Sequence, residues 1–292
     1  MRYRRFEPLD RDVSVLVLGT ASYEHAPPDC SLELLDAWRD LGGNAVDTAR
    51  QYGNAEAILG RWFRERGCRD GIVLVGKGGH YDEETGRQRV TDADVEADLA
   101  ESLATLEVER IDLYLLHRDD PSRPAAEIVD HLEALQSSGR IRTFGGSNWA
   151  TGRLEEAGMR LACSSPGLSL AVPNGEPWPG CVTIHDPESL AWYERTQLPV
   201  LAWSSQAGGF FAEAREAAPY LNEANGERRR RAEQLGREKG FSANQLALAW
   251  VLRRPFPVYA LIGPATVEEL HDSLGALEVG LTDEEARWLD LE

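Results

Sequence analysis

Ile111-Asp112-Leu113-Tyr114-Leu115-Leu116-His117 is a short, apolar, strand-like run that ends on a histidine. Two other runs end the same way. Ile72-Val73-Leu74-Val75-Gly76 leads into Lys77, and Asn44-Ala45-Val46 leads into Asp47, with Tyr52 in the loop just beyond. Short apolar runs that alternate with longer amphipathic stretches predict βαβ units and a parallel sheet. Functional side chains at the C-terminal ends of several buried strands are the mark of a (β/α)8 barrel, whose βα loops build the site. The expected fold is therefore α/β, a (β/α)8 TIM barrel in a single domain over residues 1–292.

The four polar residues have the chemistry of carbonyl reduction. Hydride addition to a carbonyl leaves an oxyanion that needs a proton. The Tyr52 phenol can give it, although an unperturbed phenol has a pKa of about 10. The Lys77 ammonium beside it makes the phenol a better acid. Asp47 keeps that buried ammonium charged, and a neutral His117 can donate to the substrate oxygen and fix its direction. Taken singly, Asp47 reads as a helix cap, Lys77 as a solvent-facing side chain and His117 as a satisfied core histidine. Those readings do not explain why all three stand at strand ends in one pattern.

Further stretches extend the pattern. Asp47-Thr48-Ala49-Arg50-Gln51-Tyr52-Gly53, Gly145-Gly146-Ser147-Asn148-Trp149, Leu201-Ala202-Trp203-Ser204-Ser205 and Leu261-Ile262-Gly263-Pro264 follow in order along the chain. With the strand-end residues they make the sequence resemble the aldo-keto reductase family from residue 18 to residue 277. The resemblance implies the catalytic set Asp47, Tyr52, Lys77 and His117. It implies a cofactor site in which Ser147, Asn148 and Ser169 hold the nicotinamide carboxamide, Ser169 standing where the family usually has glutamine. Trp203 would stack on the ring. Gly19, Thr20, Ser204, Gln206, Ile262, Gly263, Pro264, Thr266, Glu269 and Ser273 would complete the site. Tyr23, His25, Tyr81, Trp149 and Trp178 are the candidate substrate contacts.

The implied cofactor is NADP by family default. The segment Pro264-Ala265-Thr266-Val267-Glu268-Glu269-Leu270-His271-Asp272-Ser273 has no Lys or Arg where many members pair with the 2′-phosphate, which leaves NAD possible. Arg215 or the arginines near Arg228 would have to restore the preference. The expected activity is NAD(P)H-dependent reduction of an aldehyde, ketone or keto sugar. The alternative is a cofactor-binding regulatory or redox-sensing protein on the same fold with little turnover.

Composition agrees with an enzyme of this size. The 292 residues are 42% hydrophobic and carry a formal net charge of -18, which disfavours nucleic acid and anionic lipid as partners. No apolar run approaches the ~18 residues of a membrane span, and the N-terminus lacks a signal peptide's apolar core. Cys30, Cys68, Cys163 and Cys181 have no CxxC spacing and read as reduced thiols of a cytoplasmic protein, with no metal site. The expected partner is a small carbonyl compound, and nothing in the chain specifies an oligomeric state.

Four loops that follow strand ends, 21–29, 80–89, 172–186 and 206–226, should cover the site. Helices are expected over 31–41, 54–66, 92–106, 124–138, 153–162, 187–196, 228–239, 266–276 and 282–289, and strand ends near Gly19, Val46, Gly76, Leu116, Gly146, Ala171, Trp203 and Ile262. Arg228-Arg229-Arg230-Arg231 reads as a solvated face paired with Glu223, Glu227 and Glu233.

Overall fold

A computed structural model describes residues 1–24, 27–212 and 217–292. Eight parallel strands close into a barrel: β3 (Leu16–Gly19), β4 (Ala45–Asp47), β5 (Val73–Gly78), β6 (Ile111–Leu116), β7 (Ile141–Ser147), β8 (Ser164–Ser165), β9 (Val200–Ala202) and β10 (Val258–Ile262), which returns to β3. Between them run α1 (Pro28–Asp40), α2 (Ala55–Arg66), α3 (Asp92–Leu106), α4 (Ala125–Ser137), α5 (Thr151–Glu156), α6 (Pro187–Thr196), α7 (Glu223–Lys239) and α8 (Ala243–Leu252). The chain ends with α9 (Val267–Gly275) and α10 (Asp283–Leu289).

A hairpin that the sequence did not announce precedes the barrel. Strands β1 (Tyr3–Phe6) and β2 (Arg11–Ser14) pair antiparallel. Their Phe6 and Val13 join Val17, Ala45, Val73, Val75, Leu113, Leu115, Leu201 and Tyr259 in the apolar core inside the barrel. Phe6 meets Tyr259 edge to face at 5.6 Å. The hairpin therefore closes the N-terminal end of the barrel with apolar side chains.

The inner core fixes where the chemistry goes. Successive side chains of a strand point to opposite faces. Val73 and Val75 face inward, so the next inward position on β5 is Lys77. Leu113 and Leu115 lead in the same way to His117, Ala45 to Asp47, and Leu201 to Trp203. The intervening Leu74, Tyr114 and Leu116 belong to the outer core under the helices. One alternation thus packs the barrel below and aims the polar residues into its C-terminal end.

Four readings are corrected. No strand covers Leu168-Ser169-Leu170-Ala171. The strand is Ser164–Ser165, because Pro166 has no N–H to continue a ladder, and Leu168, Leu170 and Ala171 are buried in the outer core. Helix α8 went unassigned. It is apolar on nearly every side, so no 3.6 period marks it, yet Ser242 and Gln245 form a capping box at its start. Helix α5 stops at Glu156, with Gly158 and Met159 in left-handed conformation just beyond, whereas α7 begins at Glu223, where Asn222 accepts from Asn225 N.

Candidate active site

Strand β5 and the turn after β4 are fastened together, and that join builds the centre of the site. Thr48 N donates to Val75 O at 2.8 Å, Arg50 N to Lys77 O at 2.9 Å, and Tyr52 N to Ala49 O at 3.0 Å. The turn therefore folds back over β5 and brings Tyr52 to Lys77. Lys77 Nζ donates to Asp47 Oδ1 at 2.5 Å and to Thr48 O at 3.1 Å, and lies 3.5 Å from the Tyr52 hydroxyl. His117 closes the group, its ring edge to face with Tyr52 at 5.6 Å between centroids. His117 N donates to Gly78 O at 2.7 Å, which ties the end of β6 to the end of β5.

Lys77 and Asp47 are each 3% exposed, so the pair is almost wholly desolvated. Burial pushes the Asp47 carboxyl up, and Lys77 pulls it back. Burial opposes charge on Lys77, but Asp47 and Tyr52 hold its pKa above the usual lysine value. Burial also raises the Tyr52 phenol, with Lys77 acting against that rise. The lysine thus moderates a phenol that burial would otherwise make a weaker acid still. His117 is held well below 6.5 by burial, then by Lys77, Arg118 and His80, and is a neutral imidazole at physiological pH.

A cavity of about 1770 Å³ opens above these residues. That exceeds the ~300–1,000 Å³ of an ordinary small-ligand pocket, so the space suits a long ligand with a second one beside it. Most of the expected cofactor contacts line it. Gly19, Ser147, Asn148 and Trp203 stand round the tetrad side, with Ser204 and Gln206 on the following turn. Ile262, Gly263, Pro264, Glu269 and Ser273 line the wall beyond β10, where Gln206 Nε2 donates to Ser273 Oγ at 3.0 Å.

Of the expected substrate contacts, Tyr81 and Trp178 line the cavity. Trp178 is 55% exposed and meets Trp203 edge to face at 6.1 Å.

The remaining residues are elsewhere. Ser169 is buried off the cavity and donates to Ala171 O at 2.7 Å, because the strand ends before it. The register pairs Ser165 with Ser147, and the Ser165 hydroxyl donates to Leu201 O at 2.8 Å. Thr20 Oγ1 is occupied by Asp47 O at 3.0 Å, and Thr266 caps α9 by accepting from Glu269 N. Tyr23 and Trp149 are packed in the outer core at 2% and 0% exposure. Trp149 lies beneath Gly146, where an added Cβ would meet its ring at 2.9 Å. His25 and Arg215 lie outside the described residues.

The sequence model of the Aldo/keto reductase family matches residues 15–290. The chain belongs to that family. It is 30% identical to 6-dehydroglucose reductase of Agrobacterium fabrum over 88% of this chain and 84% of that one. It is 28% identical to norsolorinic acid reductase stcV of Emericella nidulans over 94% and 76% of the two chains. A Klebsiella pneumoniae aldo-keto reductase solved in complex with NADPH matches with a TM-score of 0.77 and 27% identity, covering all (100%) of this chain and 95% of that one.

This aldo/keto reductase has wall residues that the sequence reading missed. His80, Arg118 and Cys181 line the cavity beside the tetrad. His80 and Arg118 follow the ends of β5 and β6, the same signal that exposed Lys77 and His117. Arg229 and Arg237 reach the cavity from α7, and Asn244 from the first turn of α8. The arginine run is thus only partly a solvated face. Arg230 and Arg231 pair with Glu227, while Arg229 pairs with Glu233 and donates to Phe210 O.

Proposed function

We propose that the chain is an NADP(H)-dependent carbonyl reductase with Tyr52 as its proton donor. The observation that carries this reading is the buried Asp47–Lys77–Tyr52 chain of contacts beside a neutral His117, at one end of a cavity long enough for a dinucleotide. His117 donates to the carbonyl oxygen and orients it. Tyr52 gives its proton to the oxyanion, and the Lys77 ammonium stabilises the phenolate that remains. Asp47 keeps Lys77 charged and directs Nζ. In the alcohol direction the same proton returns to Tyr52.

Bound nicotinamide dinucleotide supplies the hydride. The residues present fit such a group. Asn244 Oδ1 is buried without a hydrogen-bond partner on the cavity wall, an acceptor suited to an adenine amino group. Trp203 offers an aromatic face, and Ser147 and Asn148 a polar edge for a carboxamide. The cations lining the cavity among the described residues are Lys77, Arg118, Arg229 and Arg237. With no Lys or Arg between Gly263 and Ser273, Arg229 and Arg237 are the partners for a 2′-phosphate, and they support NADP over NAD. Fluorescence titration with NADPH and NADH, then turnover on a panel of aldehydes and ketones, tests the reading. Tryptophan quenching by NADPH and its oxidation by members of the panel are expected. Absence of binding, or binding without turnover of any panel member, contradicts it.

A further inference from the structure

Arg118 is a buried cation with no anion. It is 7% exposed, and among the described residues no carboxylate forms an ion pair with it. Nη1 donates to His117 O at 3.0 Å, whereas Nε is buried without a partner. The guanidinium sits over the Tyr81 ring at 5.6 Å, and its stem lies beside Gly180, where an added Cβ would stand 3.7 Å from Cδ. Both contacts fix its position, and neither neutralises it.

The surroundings sharpen the point. This chain has 49 acidic residues against 31 Lys and Arg, so a carboxylate partner would have been easy to supply. The nearby ones are engaged elsewhere. Asp119 is held by Arg153 at 2.8 Å, Glu83 accepts from Gln51 at 3.1 Å, and Glu176 accepts from Gly180 N at 3.0 Å. Lys77 has Asp47. His80 and His117, which face Arg118, are both held toward the neutral form. Among the described residues, Arg118 is therefore a buried cation beside the tetrad with no carboxylate in ion-pair contact. Burying such a charge without a partner is costly, and the fold has placed it next to the residue that orients the carbonyl.

We propose that Arg118 is the receptor for a carboxylate on the substrate, so that the preferred substrate is a carbonyl compound that is also an acid. The proposal deepens the reductase reading and rests on it. With Nη1 engaged by His117 O, the donors left without a partner among the described residues are Nε and Nη2, two parallel N–H groups. That fork matches a planar carboxylate bidentately. Because Arg118 and His117 line the same cavity, one substrate can set its acid group on Arg118 while His117 holds its carbonyl oxygen.

The test compares kcat/KM with NADPH for 4-carboxybenzaldehyde, benzaldehyde and 4-formylphenyl phosphate. The wild type should prefer the carboxylate over benzaldehyde by about tenfold or more, the scale of a charge-assisted hydrogen bond. Arg118→Gln should remove that preference, and Arg118→Lys should keep part of it. Calorimetric binding of benzoate to the NADP-loaded protein provides a readout free of turnover. It should weaken by a similar factor in Arg118→Gln, with circular dichroism and NADPH affinity reporting whether that variant is folded. Turnover with no preference between carboxylate and neutral aldehyde, together with equal benzoate binding in wild type and Arg118→Gln, overturns the assignment. A preference for the phosphate over the carboxylate overturns the choice of a carboxylate. If no aldehyde is turned over, the reductase reading fails, and benzoate binding alone decides the role of Arg118.

Discussion

Replacing Lys77 with methionine should cost the folded protein about 3–5 kcal/mol, the usual penalty for leaving one partner of a buried ion pair uncompensated. The structure puts this case at the severe end. Both residues are 3% exposed, and Asp47 Oδ2 has no hydrogen-bond partner among the described residues, so the carboxylate depends on Nζ. Against a total stability of roughly 5–15 kcal/mol the loss is large. Its pH dependence follows from Asp47. Burial raises that carboxyl, and Lys77 is what holds it down. Without Lys77 the folded-state pKa rises further above the unfolded value. The variant then keeps its stability in acid, where Asp47 is protonated, and loses it as the pH climbs through the folded-state pKa. Denaturant titrations at about pH 5 and about pH 8 should show the larger deficit at the higher pH. Lys77→Met combined with Asp47→Asn should recover most of it, since the stranded charge is gone. Equal deficits for single and double variants at both pH values would refute the argument.

Because His117 is held well below 6.5 by burial, Lys77, Arg118 and His80, and the Tyr52 phenol is raised by burial, kcat/KM for reduction should be level across neutral pH and fall only as Tyr52 deprotonates in strong alkali. A limb near the ordinary imidazole pKa of about 6.5 that vanishes in His117→Asn would contradict this. Gly60→Ala should destabilise although alanine is the better helix former by up to about 1 kcal/mol. Its Cβ would stand 2.8 Å from Thr105 O and 2.9 Å from Leu106 O, backbone atoms that cannot swing aside, and overpacking costs about 1–3 kcal/mol. A raised melting temperature would show that α2 can back away from α3. Replacing Arg229 and Arg237 together by alanine should weaken NADPH by at least about tenfold and NADH far less, measured by fluorescence titration. Equal losses for both dinucleotides would place the 2′-phosphate elsewhere.

The tetrad was legible because a polar residue at the end of an apolar strand breaks its pattern conspicuously. Asp47, Lys77 and His117 do so at inward positions, and the alternation of Val73, Val75 and Leu113, Leu115 below them shows why. Where that contrast is missing, the reading slipped. Strand β8 is two serines before a proline, too short and too polar to register, and the apolar run after it, with Ser169, carries the stronger strand pattern. Helix α8 has no polar face to give it a period. Tyr23 and Trp149 follow strand ends, as ligand contacts do, but an aromatic ring is equally at home under a helix, and only packing decides. Arg229 sits in a run of four arginines that are alike in sequence, and the docking of α7 alone selects which of them meets the cavity. His80 and Arg118 were within reach, since each follows a strand end already recognised.

The most direct test of the account is turnover by Tyr52→Phe. The hydroxyl beside Lys77 is the proposed acid, and general acid catalysis is worth about 10²–10⁴-fold. The variant should bind NADPH with wild-type fluorescence quenching, since the Tyr52 hydroxyl touches Lys77 rather than the cofactor wall, and should reduce a simple aldehyde at least about a hundredfold more slowly. Wild-type kcat in Tyr52→Phe with the same NADPH affinity would mean that the proton comes from another group, and the assignment of this site would be wrong.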